Sequence, residues 1–178
     1  MSKDKKQQML MLQRKRGKLV QALKEGLEQF YKMGIKADFY IPKGKDNVAY
    51  LLVDEEDIAK FFGRKVRAKL RQLDKDIETK GYYENDVLVI YCRCNAEVDE
   101  SRVDSSINSV KEELSKMGIK SEVIVSKDYF TKVYLMIDAN SVIEYVDKVV
   151  KDRITKKNLK VEVTTYRENK VLVVRFRK

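Results

Sequence analysis

The feature that most constrains the fold of this chain is an internal duplication. The pentapeptide KMGIK occurs at residues 32–36 and again at residues 116–120, which is 84 positions later. With that offset, residues 13–94 align with residues 97–178 without a gap, and 19 of the 82 aligned positions are identical. A repeat of this length indicates that one structural plan is used twice. We therefore predict two similar halves.

A fainter repeat lies inside the halves, since residues 110–127 resemble residues 150–167. Gly118 of the first segment aligns with Asn158 of the second. Both residue types accept the left-handed backbone conformation that commonly follows the end of a helix. Apolar residues follow helical spacing before these points, and strand-like runs follow them. The repeating unit is therefore a helix and two strands, αββ, and we expect it four times.

The predicted fold class is α+β, with an internally duplicated αββαββ order, antiparallel sheets with helices on one face, and a pseudo-two-fold relation between the halves. The predicted organisation is a basic N-terminal arm (1–12), a first αββαββ repeat (13–94), a linker (95–99) and a second αββαββ repeat (100–178). We expect helices near 6–33, from Glu55 onward, near 100–117 and near 139–156. We expect strands near 36–42, 47–54, 76–83, 86–94, 119–126, 131–138, 159–166 and 170–177.

Several predicted strands are apolar at odd and even positions alike, for example VAYLLV (48–53) and VLVIYC (87–92). A sheet with one solvated face would instead alternate apolar and polar residues. We therefore expect these strands to be covered on both faces, by the other half of the chain or by a second copy. A homodimer formed through apolar sheet faces is one expected partner arrangement.

The composition predicts a basic intracellular protein whose partner is a polyanion. The net charge is +10 and the isoelectric point is near 9.4, and nucleic acid is the usual partner of such a protein. The chain has no histidine, which excludes imidazole bases and imidazole metal ligands. No apolar stretch is long enough to cross a membrane, so we expect a cytoplasmic location and no membrane partner. The charge-rich composition is compatible with a thermophilic source.

The second predicted helix carries a basic stripe opposite its apolar face. At helical spacing its cations fall in one sector, and these are Lys60, Arg64, Arg67, Arg71 and Lys75. Solvated salt-bridged faces usually interleave charges of both signs, whereas this sector contains few acids. Because only Phe61 interrupts the stripe, contact with the phosphate backbone of duplex DNA is favoured over base stacking, and RNA is the alternative.

Further basic candidates lie outside this helix. The N-terminal segment supplies Lys15, Arg16 and Lys18, and the second half supplies Lys148, Lys151, Arg153 and Lys156. Arg93 and Arg177 stand at the ends of strands that match in the duplication. The alternative interpretation of all these residues is a lysine-rich solvated surface without a partner.

The chain shows no pattern that favours a cofactor or catalytic site. It has no glycine-rich phosphate loop, and its two cysteines, Cys92 and Cys94, have the spacing of neighbours on one strand face rather than of a metal site. The acidic clusters EED (55–57) and VDE (98–100) stand at predicted helix starts, where capping explains them.

We therefore predict a non-enzymatic nucleic-acid-binding protein, regulatory or architectural, or an accessory protein of a virus or plasmid. One alternative is a homo-oligomeric assembly protein without a nucleic-acid role. The lower alternative is a metal-dependent nuclease.

Overall fold

The computed structural model describes Gln7, residues 17–95 and residues 97–178. Within these residues four α-helices and eight β-strands follow one another as αββ four times, so the predicted α+β class and repeating unit are confirmed. The helices are α1 (Lys18–Lys32), α2 (Glu55–Leu70), α3 (Glu100–Lys116) and α4 (Ala139–Lys156). The strands are β1 (Asp38–Tyr40), β2 (Val48–Asp54), β3 (Glu78–Glu84), β4 (Val87–Asn95), β5 (Ser121–Lys127), β6 (Phe130–Asp138), β7 (Glu162–Glu168) and β8 (Val171–Arg177). The part of the predicted first helix that precedes Gly17, except Gln7, lies outside the described residues.

The strands form two antiparallel four-stranded sheets, with the orders β1-β2-β8-β7 and β3-β4-β6-β5. The first sheet belongs to a compact unit, here called unit 1, that contains the described residues up to Asp54 together with Val146–Lys178. The second sheet belongs to unit 2, which contains Glu55–Tyr145. The two compact units therefore do not coincide with the two sequence repeats, 13–94 and 100–178. Each unit instead combines two strands from each repeat, and the boundary between the units falls within α4, after Tyr145.

The two sheets have the same pairing once the repeats are exchanged. In unit 1, Tyr50 of β2 pairs with Arg175 of β8. Moving Tyr50 forward by 84 positions and Arg175 back by 84 gives Tyr134 and Tyr91, which are the paired residues of β6 and β4 in unit 2. The duplication is thus visible in strand register as well as in sequence.

The helix-to-strand corner at KMGIK has a shared hydrogen-bonding pattern. The second residue after the helix is left-handed at Gly34 (φ 72°), Gly118 (φ 79°) and Asn158 (φ 52°). At each corner the next amide donates to a carbonyl five residues earlier, and these bonds are Ile35 N to Phe30 O (2.9 Å), Ile119 N to Leu114 O (2.9 Å) and Leu159 N to Ile154 O (3.1 Å). This is the bond of a Schellman cap. The prediction that Gly118 and Asn158 share one conformation is therefore confirmed.

The core of each unit lies between its sheet and the helices that pack on it. In unit 2, a Cβ atom added at Gly81 would lie 3.0 Å from Ala59 Cβ, so α2 sits directly on β3. Gly81 pairs with Ile90, which is on the same face and has no solvent exposure. In unit 1, a Cβ atom at Gly26 of α1 would lie 2.9 Å from Phe176 Cζ, so the missing side chain makes room for the buried ring.

The opposite face of each sheet is covered only in part. Tyr50, Leu52 and Tyr91 on this face are half-buried, although Val89 is 6 % exposed. Within the single chain the outer face is therefore only half-buried at most of these positions, and the expectation that a second copy covers it stays a prediction. No helix in the described residues is long and apolar enough to cross a membrane.

Candidate nucleic-acid interface

Helix α2 is oriented by an apolar face that leaves its basic residues on the surface. Ile58, Phe62, Val66 and Leu70 are each at most 3 % exposed, and α2 packs on β3 and β4 of unit 2. Its first turn holds three acids and its last turn holds cations, an arrangement that complements the helix dipole. The buried stripe was predicted from sequence, and it fixes which side of the helix faces solvent.

The solvent-facing side of α2 contains Lys60, Arg64 and Arg67, all exposed. Lys60 Nζ lies 2.9 Å from Glu56 Oε1. The hydrogen bond and charge of Glu56 raise the pKa of Lys60, and Lys60 in turn lowers the pKa of Glu56. The positive field of this face is therefore weakest near the start of the helix and increases toward Arg67.

The helix ends at Leu70, before the last two members of the predicted stripe. Arg71 still follows the helical path, because its backbone amide donates to Arg67 O at 2.9 Å, and its side chain is exposed. Lys75 lies beyond the helix in the connection to β3, so helical spacing does not place it on this face. No carboxylate of the described residues forms an ion pair with Arg67 or Arg71. We define the basic face of α2 as Lys60, Arg64, Arg67 and Arg71.

Two of the basic residues predicted on α4, Lys151 and Arg153, have carboxylate neighbours. Arg153 is half-buried, and its Nε donates to Glu25 Oε2 of α1 at 2.6 Å. Lys151 Nζ lies 2.5 Å from Asp147 Oδ2. Arg153 therefore has a structural role, because it joins two helices of unit 1. Lys148 and Lys156, in contrast, are exposed.

The N-terminal candidates are described only in part. Lys18 is the exposed first residue of α1. Lys15 and Arg16 lie outside the described residues. Of the two strand-end arginines, Arg93 donates from Nη2 to Glu78 Oε1 at 2.6 Å, whereas Arg177 is exposed.

Two acids that precede helices, Asp99 of the cluster at 98–100 and Asp138 at the end of β6, cap the first turn of the helix that follows. Asp99 accepts a bond from Ser101 N at 3.0 Å, and Asp138 accepts one from Ser141 N at 2.9 Å. These bonds satisfy amides that the first turn of a helix leaves without partners. Among the described residues, no three cysteine, aspartate or glutamate side chains are grouped as a metal ion would require.

The two cysteines lie side by side in the core of unit 2. Cys92 and Cys94 are both reduced and buried. Burial raises the pKa of Cys92 to about 12 and that of Cys94 to about 11. Because a thiolate is the reactive form of cysteine, both thiols are poor nucleophiles at neutral pH.

Sequence reasoning missed a row of aromatic and basic side chains on the sheet of unit 1. Tyr40, Tyr50, Arg175 and Thr164 pair in succession across β1, β2, β8 and β7, so they lie in one line on one face. The rings of Tyr40 and Tyr50 are stacked, with centroids 6.2 Å apart and planes 25° apart. No sequence spacing could have found this row, because it joins strands from the two ends of the chain.

No family model matches the chain, and the searches among curated proteins and solved structures also give no match. The case for a function therefore rests on the chain's own residues.

Proposed function

We propose that the protein binds nucleic acid through phosphate contacts made by the basic face of α2. The observation that carries this proposal is the run of Arg64, Arg67 and Arg71 along one exposed helix side, seated by a buried apolar stripe. Guanidinium groups bind phosphate oxygens in a two-pronged geometry that lysine lacks. A rigid helix holds such groups at fixed spacing along a polyanion.

The chemistry of this face favours binding that does not depend on nucleotide sequence. Phe61, the aromatic residue that interrupts the stripe, is only 9 % exposed and contacts the ring of Phe62 at a centroid distance of 5.1 Å. The face therefore offers cations and little aromatic surface. Contacts of this kind neutralise phosphates, release counterions and act equally on all duplex sequences.

A matched pair of charge-reversal variants tests the proposal. The first variant changes Arg64, Arg67 and Arg71 to Glu, and the second changes Lys148, Lys151 and Lys156 of unit 1 to Glu. Both convert three surface cations into carboxylates, so they alter the net charge equally. We expect the first to weaken binding to labelled duplex DNA by about 100-fold or more and the second by much less, since only the first removes the phosphate contacts.

The measurement is fluorescence anisotropy at one low salt concentration, with circular dichroism to show that both variants fold. Equal losses in the two variants would mean that overall charge, and not the basic face of α2, is responsible. Wild-type protein that binds neither duplex DNA nor RNA would overturn the proposal and favour assembly as the function. Adding Mg²⁺ or Mn²⁺ to the labelled duplex tests the nuclease alternative, because strand cleavage would show a catalytic role.

A further inference from the structure

We infer that unit 1 has a second nucleic-acid surface, on its sheet, and that this surface takes a single strand. It consists of the row Tyr40, Tyr50, Arg175 and Thr164 together with the neighbouring Arg177. The inference goes beyond the proposed function, because it concerns other residues and another form of nucleic acid.

The aromatic part of the surface is accessible to a base. Tyr40 is 55 % exposed, and it belongs to β1, the edge strand of the sheet. Its ring stacks on that of Tyr50, which is half-buried on the next strand and so holds the pair in place. Unpaired bases stack on such rings, whereas bases in a duplex are already stacked on one another. The exposed ring therefore favours a single strand.

The basic part of the surface lies directly beside the two tyrosines. Arg175 is the register partner of Tyr50, and Arg177 follows two positions later on the same face. Two strand spacings, about 10 Å, separate β1 from β8. A single nucleic-acid strand that runs across the sheet from β1 to β8 therefore contacts first the two tyrosine rings and then the guanidinium group of Arg175. This order suits a polymer in which bases alternate with phosphates.

Arg175 and Arg177 have no carboxylate of the described residues within ion-pairing distance. Arg175 Nη2 is 3.5 Å from Thr164 Oγ1, and its buried Nε has no hydrogen-bond partner in the described part of the chain. Buried polar groups without partners are rare in native proteins and call for an explanation. The charge of this guanidinium has no compensating carboxylate among the described residues, and a phosphate bound at its Nη atoms would supply the compensating charge.

More cations collect at the same end of the sheet. Lys43 and Lys45 are exposed in the loop that joins β1 to β2. Lys178 N donates to Asn47 O at 2.9 Å, which places the end of β8 beside this loop. Asp46 and Glu162 are the acids at this end, whereas Asp38, Asp54 and Glu168 lie at the opposite end of the face. The charge is therefore polarised along the strands, and the positive end adjoins the tyrosines.

The equivalent surface of unit 2 provides an internal contrast. Its row contains Ile124, Tyr134, Tyr91 and Lys80. Two of the cations beside this row are already paired, since Arg93 contacts Glu78 at 2.6 Å and Lys132 contacts Asp128 at 2.6 Å. Lys80 is an exposed cation of the row, but the exposed edge position that Tyr40 occupies in unit 1 is Ile124 here, which offers no aromatic ring. Arg93 also lies over the ring of Phe130, 4.6 Å from its centroid. We therefore assign the single-strand surface to unit 1 alone.

The absence of tryptophan from the chain allows a direct test. Tyr40→Trp places one fluorophore in the row and preserves stacking, and Ile124→Trp places one at the equivalent position of unit 2, which is also exposed. We expect oligo(dT) and oligo(U), titrated separately, to quench the fluorescence of Tyr40→Trp and to leave that of Ile124→Trp unchanged. The two oligonucleotides also distinguish DNA from RNA as the preferred strand.

Affinity measurements with the intact chain complete the test. Tyr40→Ala should weaken single-strand binding by roughly 5- to 100-fold, the effect of removing one stacking platform, and leave duplex binding unchanged. Arg177→Gln should lower the log–log salt slope of single-strand binding by about 0.7, the value for one phosphate contact. Tyr40→Phe should retain the affinity and thereby show that the ring itself is needed.

The two proposals fail in different ways. If Tyr40→Ala leaves single-strand affinity unchanged, or if both tryptophans are quenched equally, the sheet surface of unit 1 is not the single-strand site. That result does not affect the duplex measurements on the α2 variants. Conversely, quenching confined to Tyr40→Trp, combined with no effect of α2 charge reversal on duplex binding, would support the sheet surface and overturn the proposed function.

Discussion

Helices α2 and α4 are equivalent in the duplication but use their cations differently. Lys69 of α2 corresponds to Arg153 of α4, and each forms an ion pair with a neighbouring helix of its own unit. The pair in unit 2 is exposed, whereas Glu25 in unit 1 is only 9 % exposed. The basic face of α2 has no full counterpart, because Glu144 and Thr155 replace Lys60 and Arg71.

On the helices the arginine held in a close ion pair belongs to unit 1, whereas on the sheets it belongs to unit 2. In unit 2, Arg93 is paired with Glu78. The equivalent Arg177 and Glu162 of unit 1 are register partners, yet they form no ion pair. After the duplication, the two units kept the same backbone pairing but came to differ in where their charges lie. Each unit retains one surface rich in cations: in unit 2 it is the basic face of α2, where Arg67 and Arg71 form no ion pair with a described carboxylate, and in unit 1 it is the end of the sheet that holds Arg175 and Arg177.

The largest expected effect on stability comes from removing Glu25. Glu25→Gln leaves the half-buried guanidinium of Arg153 without its close carboxylate, and we expect it to lower the free energy of unfolding by about 2 kcal/mol. Glu113→Gln removes the exposed pair with Lys69 and should cost a few tenths of a kcal/mol. Urea denaturation of both variants measures the difference. Equal losses would mean that the two ion pairs are energetically alike and that the contrast between α2 and α4 is wrong.

A smaller effect, about 1 kcal/mol, is expected between pH 8 and pH 10 from the buried thiol of Cys92 in unit 2. The pKa of Cys92 rises from 9.0 to about 12 on burial, so the native state holds its proton more tightly than the unfolded state. The resulting stability is fully present below pH 9 and is lost as the pH rises from 9 toward 12, at about 1.4 kcal/mol per pH unit. The equivalent position in unit 1 is Phe176, which has no proton to lose.

Denaturation at pH 8 and pH 10 of wild type and Cys92→Ala measures this effect. The wild type should lose about 1 kcal/mol more than the variant between the two values. Parallel pH dependence of the two proteins would mean that the thiol is not protected in the native core. Hydrogen exchange of β4 and β8 amides then shows whether unit 2 is the unit that loosens.

The local parts of the fold could be predicted from the sequence. The Gly34 and Gly118 corners depend on a few adjacent residues. The two-residue turn at 85–86 lies one residue later than the break predicted between strands 76–83 and 86–94, and this turn and its copy at 169–170 each begin with a left-handed asparagine, Asn85 or Asn169. The start of α2 at Glu55 follows from its acidic first turn. These features need no information from distant parts of the chain.

The strand partners could not be predicted, and the duplication itself is the reason. β4 and β8 share the segment VLV, so each presents nearly the same apolar side chains to a partner. Alternation fixes which face of a strand is buried, but it does not choose between two similar neighbours. β2 pairs with β8, far away in sequence, rather than with β4 of its own repeat.

The candidate site likewise has one part that could be predicted from the sequence and one part that could not. The exposed side of α2 followed from the position of Phe62 and the rest of its apolar stripe. The carboxylate partner of Arg153 did not, because Glu25 is 128 residues away in the sequence. The row of Tyr40, Tyr50 and Arg175 depends on strand pairing, so it appeared only with the structure.

The most direct test of the central claim is the salt dependence of duplex binding in wild type and in the variant with Arg64, Arg67 and Arg71 changed to Glu. Each phosphate contact contributes about 0.9 to the log–log slope, so the variant should have a slope lower by about 2.7. The variant with Lys148, Lys151 and Lys156 changed should keep a slope near that of wild type. A slope that is the same in all three proteins would show that the basic face of α2 does not contact phosphates.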